Sequence, residues 1–160
     1  ENLLYDFENA DAETVSAISD FSIPPAAETS SIRIKILTPM RIQHQGHPII
    51  PNDLTARDFL IALIRRQQLL SKQHIPDYPE MDFNALRPVI ETAALTDADV
   101  RWFDWKRYSS RQKTQIALGG IMGEFTLTGD LRPIMPYVYA GQWFHVGKSV
   151  VMGLGKYIIV

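Results

Sequence analysis

The stretch SIRIKILTPMRIQ, residues 31–43, decides how the fold is predicted, because apolar and charged side chains alternate along it. Three isoleucines share one face, and Arg33 and Lys35 share the other. Alternation with a period of two is typical of a β-strand that buries one face. The stretch therefore predicts a half-buried strand with a basic outer face.

The strand is followed by a turn-rich segment, HQGHPIIPND, and then by the strongest helical pattern in the chain, TARDFLIALIRRQQLLSKQH at residues 55–74. Thr55 is a suitable N-cap, and Asp58 lies in the first turn, where the helix dipole favours a carboxylate. The apolar residues that recur at helical spacing are Phe59, Leu60, Leu63, Ile64 and Leu70. This pattern predicts an amphipathic helix.

The middle of the chain is predicted as an irregular insert followed by two strands. HIPDYPEMDFNALRPVI, residues 74–90, contains three prolines, so we expect no more than a short helical turn near its end. DVRWFDWKRY, residues 99–108, and IMGEFTLTGD, residues 121–130, are predicted as strands that pair as a hairpin. SSRQKTQIALGG, residues 109–120, is predicted as the polar connection between them.

The end of the chain completes the pattern of elements. DLRPIMPYVYAGQWFHVG, residues 130–147, predicts a helix with Pro133 and Pro136 in its first turn and Gly147 as its C-cap. SVVMGLGKYIIV predicts a closing strand with a glycine interruption. The order strand, helix, strand, strand, helix, strand indicates an α+β fold of the ferredoxin-like, or RRM-like, βαββαβ type. Such a fold has an antiparallel sheet with two helices on one face.

Composition limits the classes of function. The chain contains no cysteine, which excludes disulfides and thiolate metal sites. No apolar run reaches the roughly 18 residues of a membrane span, and the acidic N-terminus does not resemble a signal peptide. Residues 1–31 hold seven acidic side chains, no Lys or Arg, and a Pro-Pro pair. They are predicted as a lead-in or linker to a single domain at residues 32–160.

The last third of the chain is basic. Residues 101–160 hold eight Lys or Arg residues and three Asp or Glu residues. A local basic surface favours a polyanionic partner, and the alternative is a solvated charged face.

The stretch GQWFHVGKSVVMGLGKY, residues 141–157, raises the question of a phosphate-binding loop. A nucleotide P-loop requires four residues between its glycines and a strand-to-helix context. Five residues separate Gly141 from Gly147 here, and the stretch follows a helix, which also excludes a Rossmann fingerprint. The remaining possibility is an anion-binding turn that suits a polynucleotide backbone. Its residues are Gly147, Lys148, Gly153, Gly155 and Lys156. The alternative is a helix C-cap and a β-bulge with solvated lysines.

Four segments together carry a resemblance to a known family. They are IRIKILTPMRI, RYSSRQ, LGGIMGEFTLTGDL and HVGKSVVMGLGKY. Over residues 32–160 the chain resembles the C-terminal domain of the CRISPR-associated precursor-RNA-processing endoribonucleases of the RAMP superfamily. One departure is Ser149, where the family pattern usually has a third glycine.

The resemblance implies a function and partners. It implies one half of a protein that pairs two ferredoxin-like domains, with residues 1–31 running in from the N-terminal half. It also implies cleavage of CRISPR repeat RNA without metal or cofactor, through attack of the 2′-hydroxyl on the adjacent phosphate. Most catalytic residues then lie in the N-terminal half. The expected location is the cytoplasm of a prokaryote, and no membrane is expected as a partner.

Several residues of this domain are candidates for the RNA chemistry. His145, beside the glycine-rich stretch, is a candidate catalytic base, and the alternative is a structural role at the loop entry. Arg107, Arg111 and Lys113 suit phosphate contacts and stacking on bases.

Other histidines and the tryptophans are given plainer interpretations. His44 and His47 could bind a metal only with further ligands, so they are predicted as loop residues, and His74 as having no special role. The tryptophans predicted as core residues, not as base-stacking platforms, are Trp102, Trp105 and Trp143.

Two other functions remain open. One is a non-catalytic RAMP subunit that binds guide RNA among other CRISPR effector subunits. The other is a scaffold whose basic face meets an acidic protein. Cleavage of RNA would distinguish an endoribonuclease from the non-catalytic RAMP subunit. Salt-dependent RNA binding would distinguish both of these from the scaffold.

Overall fold

The computed structural model describes residues 30–74, 81–110 and 113–160. In chain order its elements are β1 (Ser31–Met40), β2 (Gln43–His44), β3 (His47–Pro48), α1 (Ala56–His74), α2 (Phe83–Thr92), β4 (Ala94–Phe103), β5 (Lys106–Ser109), β6 (Thr114–Ala117), β7 (Gly120–Thr128), α3 (Met135–Phe144) and β8 (Tyr157–Ile159). No helix in these ranges is long and apolar enough to cross a membrane. The predicted lead-in lies outside these ranges except for its last two residues.

The main sheet has the strand order β4-β7-β1-β8, and all neighbours are antiparallel. Without the hairpins β2–β3 and β5–β6 and helix α2, the order of elements is βαββαβ. The first strand then lies between the third and the fourth. The predicted ferredoxin-like fold is therefore confirmed.

Strand β1 has the alternation that the sequence predicted. Ile32, Ile34 and Ile36 are buried, while Arg33 and Lys35 are exposed on the other face. Burial of each such side chain stabilises the fold by about 1.5–3 kcal/mol. The buried face of β1 belongs to the same core cluster as apolar residues of α1 and α3, so these two helices cover one face of the sheet.

Helix α1 begins and packs as predicted. The amide of Asp58 donates to Thr55 Oγ1 over 3.1 Å, which satisfies one amide of the first turn. The Phe59 ring meets Phe125 of β7 and Tyr157 of β8 edge-on, with centroid distances of 5.3 and 5.4 Å. The helix is therefore fixed over the centre of the sheet.

Helix α2 corrects the prediction of an irregular insert, although residues 75–80 of that insert lie outside the described ranges. Asp82 Oδ1 accepts from the amides of Asn84 and Ala85, at 2.9 and 3.2 Å. Pro88 lies inside the helix and removes one backbone donor. Leu86, Val89 and Ile90 are buried in the core cluster. Capping and burial thus outweigh the cost of the proline.

The region after α2 also differs from the prediction. The expected single strand at residues 99–108 is two strands, because the chain leaves the sheet at Asp104 and Trp105. The expected polar connection contains β6, which pairs with β5 as a second hairpin. Most side chains of this hairpin are exposed, so it has no alternation of burial that a sequence pattern could detect.

The last two elements are shorter than predicted. Pro136 lies in the first turn of α3 as expected, whereas Pro133 precedes the helix. The C-cap is His145, whose amide donates to the carbonyl of Gly141 over 2.8 Å, so the assignment of Gly147 as the cap is wrong. The expected closing strand is reduced to β8, and a 3-10 turn at Val150–Met152 precedes it.

Candidate nucleic-acid interface

The segment from residue 145 to residue 156, here called the glycine loop, is attached to the end of β1. The carbonyls of Pro39 and Arg41 accept from the amides of Gly155 and Lys148, at 3.0 and 2.8 Å. Thr38 binds the C-terminal part of the loop: its Oγ1 donates to the carbonyl of Gly153 and accepts from the amide of Lys156, both at 2.8 Å. The loop is therefore held by backbone and hydroxyl contacts.

The three glycines of the loop have different surroundings. Gly147, Gly153 and Gly155 all have positive φ, which favours glycine. A Cβ at Gly147 would lie 2.5 Å from the carbonyl oxygen of Arg41, and one at Gly155 would overlap that of Val146. A Cβ at Gly153 would meet nothing within 4 Å. Gly147 and Gly155 thus permit close packing within the protein, and Gly153 leaves open space.

His145 is fixed at the start of the loop. Its Nδ1 lies 3.0 Å from the carbonyl oxygen of Leu154. Because a carbonyl can only accept, Nδ1 carries the hydrogen, and Nε2 of the neutral ring carries the lone pair. The ring therefore has one nitrogen in a structural contact and one that can accept a proton.

A groove of about 640 Å³ lies between the glycine loop, α1 and the β2–β3 hairpin. Its basic residues are Arg41, Arg65, Arg66 and Lys148, and none of the Asp or Glu residues that the structure describes lines it. We call it the basic groove. Lys148 lines the groove, whereas Lys156 is exposed at the other end of the loop and does not.

The sequence prediction missed three of these four basic residues. Arg65 and Arg66 lie in the predicted amphipathic helix and Arg41 in the stretch predicted as a strand, and none of them was a candidate for RNA contact. No local pattern identifies them, because only the tertiary fold brings α1 and the end of β1 beside the glycine loop.

The β5–β6 hairpin carries the second predicted cluster. Arg107 and Lys113 are exposed on it, together with Lys106, and Arg111 lies outside the described residues. The hairpin is tied to the groove by Arg41, whose Nη1 donates to the carbonyl of Ala117. The two predicted regions therefore lie on either side of one arginine. We call the β5–β6 hairpin, residues 106–117, the basic hairpin.

Two interpretations of individual residues can be compared with the structure. His44 and His47 lie in the β2–β3 hairpin, and among the described residues no three His, Cys, Asp or Glu side chains gather as a metal site. Trp102 is partly buried against the core, as predicted. Trp105 and Trp143 are 41% and 55% exposed, so their prediction as core residues is wrong. Both lie where an element ends, and helical or strand periodicity no longer determines burial there.

Comparisons with known proteins place these features in a family. The family described as CRISPR-associated endoribonuclease Cas6 matches residues 34–157. No curated protein sequence matches the chain.

Solved structures show the same fold at low sequence identity. A Thermus thermophilus Cas6 is 20% identical, with a TM-score of 0.59, over 84% of this chain and 55% of its own. A Cas6 product complex is 13% identical, with a TM-score of 0.57, over 86% and 52%. A partial Cas6-RT-Cas1–Cas2 complex is 16% identical, with a TM-score of 0.65, over 96% and 29%. The chain spans about half the length of the Cas6 structures that it matches.

Proposed function

The chain belongs to the CRISPR-associated endoribonuclease Cas6 family, and from that membership we propose that it is the RNA-holding part of a nuclease that processes CRISPR precursor RNA. The observation that carries the proposal is the basic groove, whose lining, among the described parts of the chain, includes three arginines and one lysine and no acidic side chain. A groove with one sign of charge attracts a polyanion and releases its counterions on binding.

The groove and the glycine loop have separate parts in this proposal. Arg41, Arg65 and Lys148 contact phosphates of the RNA, as arginine and lysine commonly do. Gly147 and Gly155 hold the loop backbone against β1, and Gly153 leaves room for close approach of the RNA backbone. Lys156 adds charge at the outer end of the loop.

The basic hairpin extends the contact. Arg107 and Lys113 are exposed, and Arg41 connects the base of the hairpin to the groove. One RNA chain can therefore cross from the groove to the hairpin without leaving positive charge. Arg111 belongs to the same proposed cluster by sequence.

The proposed reaction needs no metal. The 2′-oxygen bonds to phosphorus, the bond to the 5′-oxygen breaks, and a cyclic phosphate and a 5′-hydroxyl result. A base takes the 2′-hydroxyl proton, an acid gives a proton to the 5′-oxygen, and a cation stabilises the charge on phosphorus. Cations of the groove serve the last role. His145 Nε2 is the candidate base in this chain, and the remaining groups come from an N-terminal half of the protein.

The proposed partners are CRISPR repeat RNA and that N-terminal half. A solved assembly contains Cas6 together with RT, Cas1 and Cas2. It supports further CRISPR proteins as partners of this chain.

The experiment that tests the proposal measures binding of labelled repeat RNA to the 160-residue chain at two salt concentrations, about 50 and 200 mM. The Arg65→Ala/Lys148→Ala double variant should bind more weakly and with a salt slope smaller by about 1.4, from about 0.7 per lost contact to a single strand. Arg132→Ala is the matched control, because Arg132 pairs with Asp130 in the turn after β7, away from the groove. Salt-independent binding, or equal losses in all variants, contradicts the proposal.

Cleavage is scored in the same reactions without metal. Salt-sensitive binding without product supports an RNA-holding part whose catalytic groups lie in the N-terminal half. A cyclic-phosphate product that His145→Ala abolishes without loss of binding assigns the base to this chain. No product even when the N-terminal half is present favours the non-catalytic guide-RNA subunit.

A further inference from the structure

A second cavity lies directly beside the basic groove. It occupies about 480 Å³ between the C-terminal ends of α1 and α3. Its lining includes Leu70, His74, Trp143, Phe144 and His145, and we call it the aromatic pocket. Arg66 and Val150 line both cavities, so the pocket and the groove are continuous.

The pocket exists because α3 ends with two adjacent aromatic residues. Trp143 and Phe144 are 55% and 43% exposed, whereas Phe59, Leu60, Leu63 and Ile64 of α1 and Val138 of α3 are buried. The Trp143 ring lies 5.2 Å from that of Tyr139, one helical turn earlier. Exposed aromatic surface beside a charged groove is typical of a binding site.

Arg66 stands at the boundary between the two cavities. Its Nε lies 3.5 Å from the carbonyl oxygen of Phe144, which keeps the guanidinium close to the end of α3. A guanidinium plane can stack on a base and also attract a phosphate. The boundary therefore suits a ligand that is planar at one end and anionic at the other.

We propose that the aromatic pocket binds one unpaired nucleobase of an RNA whose phosphates lie in the basic groove. This inference rests on the RNA-holding function proposed above. Trp143 and Phe144 supply the stacking surface, and the side chain of His74 can form a hydrogen bond with the base edge. The volume falls within the range of small-molecule sites, and a base pair in a duplex cannot enter it.

The consequence concerns which form of RNA is held. A site for an unpaired base selects single strands or the strand that leaves a stem, because a duplex keeps its bases stacked. The charge of the groove attracts the phosphates of both forms and therefore does not by itself select the single strand. Single-stranded RNA should therefore bind more tightly than a duplex with the same number of phosphates.

The test compares Trp143→Ala and Trp143→Phe with the unchanged chain. Three probes are used: a short single-stranded RNA, the same RNA with abasic sugars, and a blunt duplex. Trp143→Ala should weaken binding of the intact single strand by about fivefold to one hundredfold. It should leave the affinities for the abasic strand and the duplex, and the salt slope, unchanged. Trp143→Phe should retain most of the affinity. Phe83→Ala, at the exposed start of α2, is the control.

A second readout follows the pocket directly. Replacement of Trp102 and Trp105 by Phe leaves Trp143 as the single tryptophan, and single-stranded RNA should quench its emission while abasic RNA does not. If no RNA binds in a salt-dependent way, the proposed function itself fails. The base-binding inference alone is overturned if intact and abasic strands bind with equal affinity, or if Trp143→Ala lowers the affinity for both by the same factor. It is also overturned if Trp143→Ala changes the oligomeric state and leaves RNA affinity unchanged.

Discussion

At the scale of single residues, Tyr157 joins the last strand to both covering helices. It is fully buried, its hydroxyl donates to the carbonyl of Val138 over 2.6 Å, and its ring meets that of Phe59. Burial raises the pKa of the Tyr157 hydroxyl well above its ordinary value of 10.0. The folded protein therefore keeps the proton at pH values where the unfolded chain loses it.

Stability should fall at alkaline pH for this reason. Below pH 10.0 both states hold the proton, and above it only the unfolded state ionises, so stability decreases as pH rises. Above pH 10.0 the free energy of unfolding of the unchanged chain should decrease with pH more steeply than that of Tyr157→Phe. The two slopes should differ by up to about 1.4 kcal/mol per pH unit. At neutral pH that variant should lose about 1 kcal/mol with its hydrogen bond. Urea unfolding from neutral to strongly alkaline pH measures both, and parallel curves refute the prediction.

The loop glycines give a second prediction at this scale. Gly153→Ala should cost about 1–2 kcal/mol, because only the positive φ is strained. Gly155→Ala has a similar φ and in addition overlaps the carbonyl oxygen of Val146. It should cost a further 1–3 kcal/mol or so, as overpacking does. Denaturant unfolding of the two variants tests this order, and equal losses would show that the loop adjusts freely.

Two predictions that rest on a local signal were correct, whereas residues whose role depends on the tertiary fold were missed. The isoleucine alternation and the Thr55 cap are read within one strand and one turn. Arg65 and Arg66 look like any solvated pair on a helix, and only the packing of α1 beside the glycine loop makes them line the groove. Trp143 could not be distinguished from a core residue, because its exposure depends on where α3 ends.

At the scale of elements, the start of α2 offers a direct test of capping. Asp82→Ala removes the acceptor of two amides and should lower the free energy of unfolding by about 1 kcal/mol. Asp82→Asn keeps a side-chain oxygen and is the matched control, expected to change stability little. Urea unfolding measures the difference. If the free energy of unfolding falls equally in both variants, the charge of Asp82 and not its side-chain oxygen as an acceptor stabilises the helix.

The elements that the sequence did not predict have physical reasons in common. Pro88 argued against a helix, yet the Asp82 cap and three buried apolar side chains outweigh the single lost donor. The basic hairpin is exposed, so its strands lack the apolar alternation on which strand prediction depends. In both cases a contribution that the apolar pattern does not show, a helix cap for α2 and strand pairing for the hairpin, helps to determine the structure.

At the scale of the whole molecule, the order of elements was enough to predict the sheet. Four segments with strand character and two with helical character fit one antiparallel topology, and the pairing β4-β7-β1-β8 is that topology. The site needed more than this order. The groove forms where the end of β1 and the glycine loop meet α1. The β2–β3 hairpin lines it and Arg41 links the basic hairpin to it, and both hairpins are insertions into the fold. Their position follows from contacts such as that of Arg41 with Ala117.

If the groove and the basic hairpin bind one continuous RNA, substitutions in both should reduce the salt slope of RNA binding by the sum of their separate reductions. The triple variant Lys106→Ala/Arg107→Ala/Lys113→Ala should reduce the salt slope for repeat RNA by about 2, from about 0.7 per phosphate contact. Combined with Arg65→Ala/Lys148→Ala, the reduction should reach about 3.5.

RNA length separates a shared interface from two independent ones. With RNA too short to cross from the groove to the hairpin, the hairpin substitutions should have little effect while the groove substitutions keep theirs. The affinity of each variant for long and short RNA is measured across a salt series, with Arg132→Ala as the control. Hairpin substitutions that leave the slope for long RNA unchanged would remove the hairpin from the interface. A loss of equal size for both lengths would mean that the hairpin binds RNA separately from the groove.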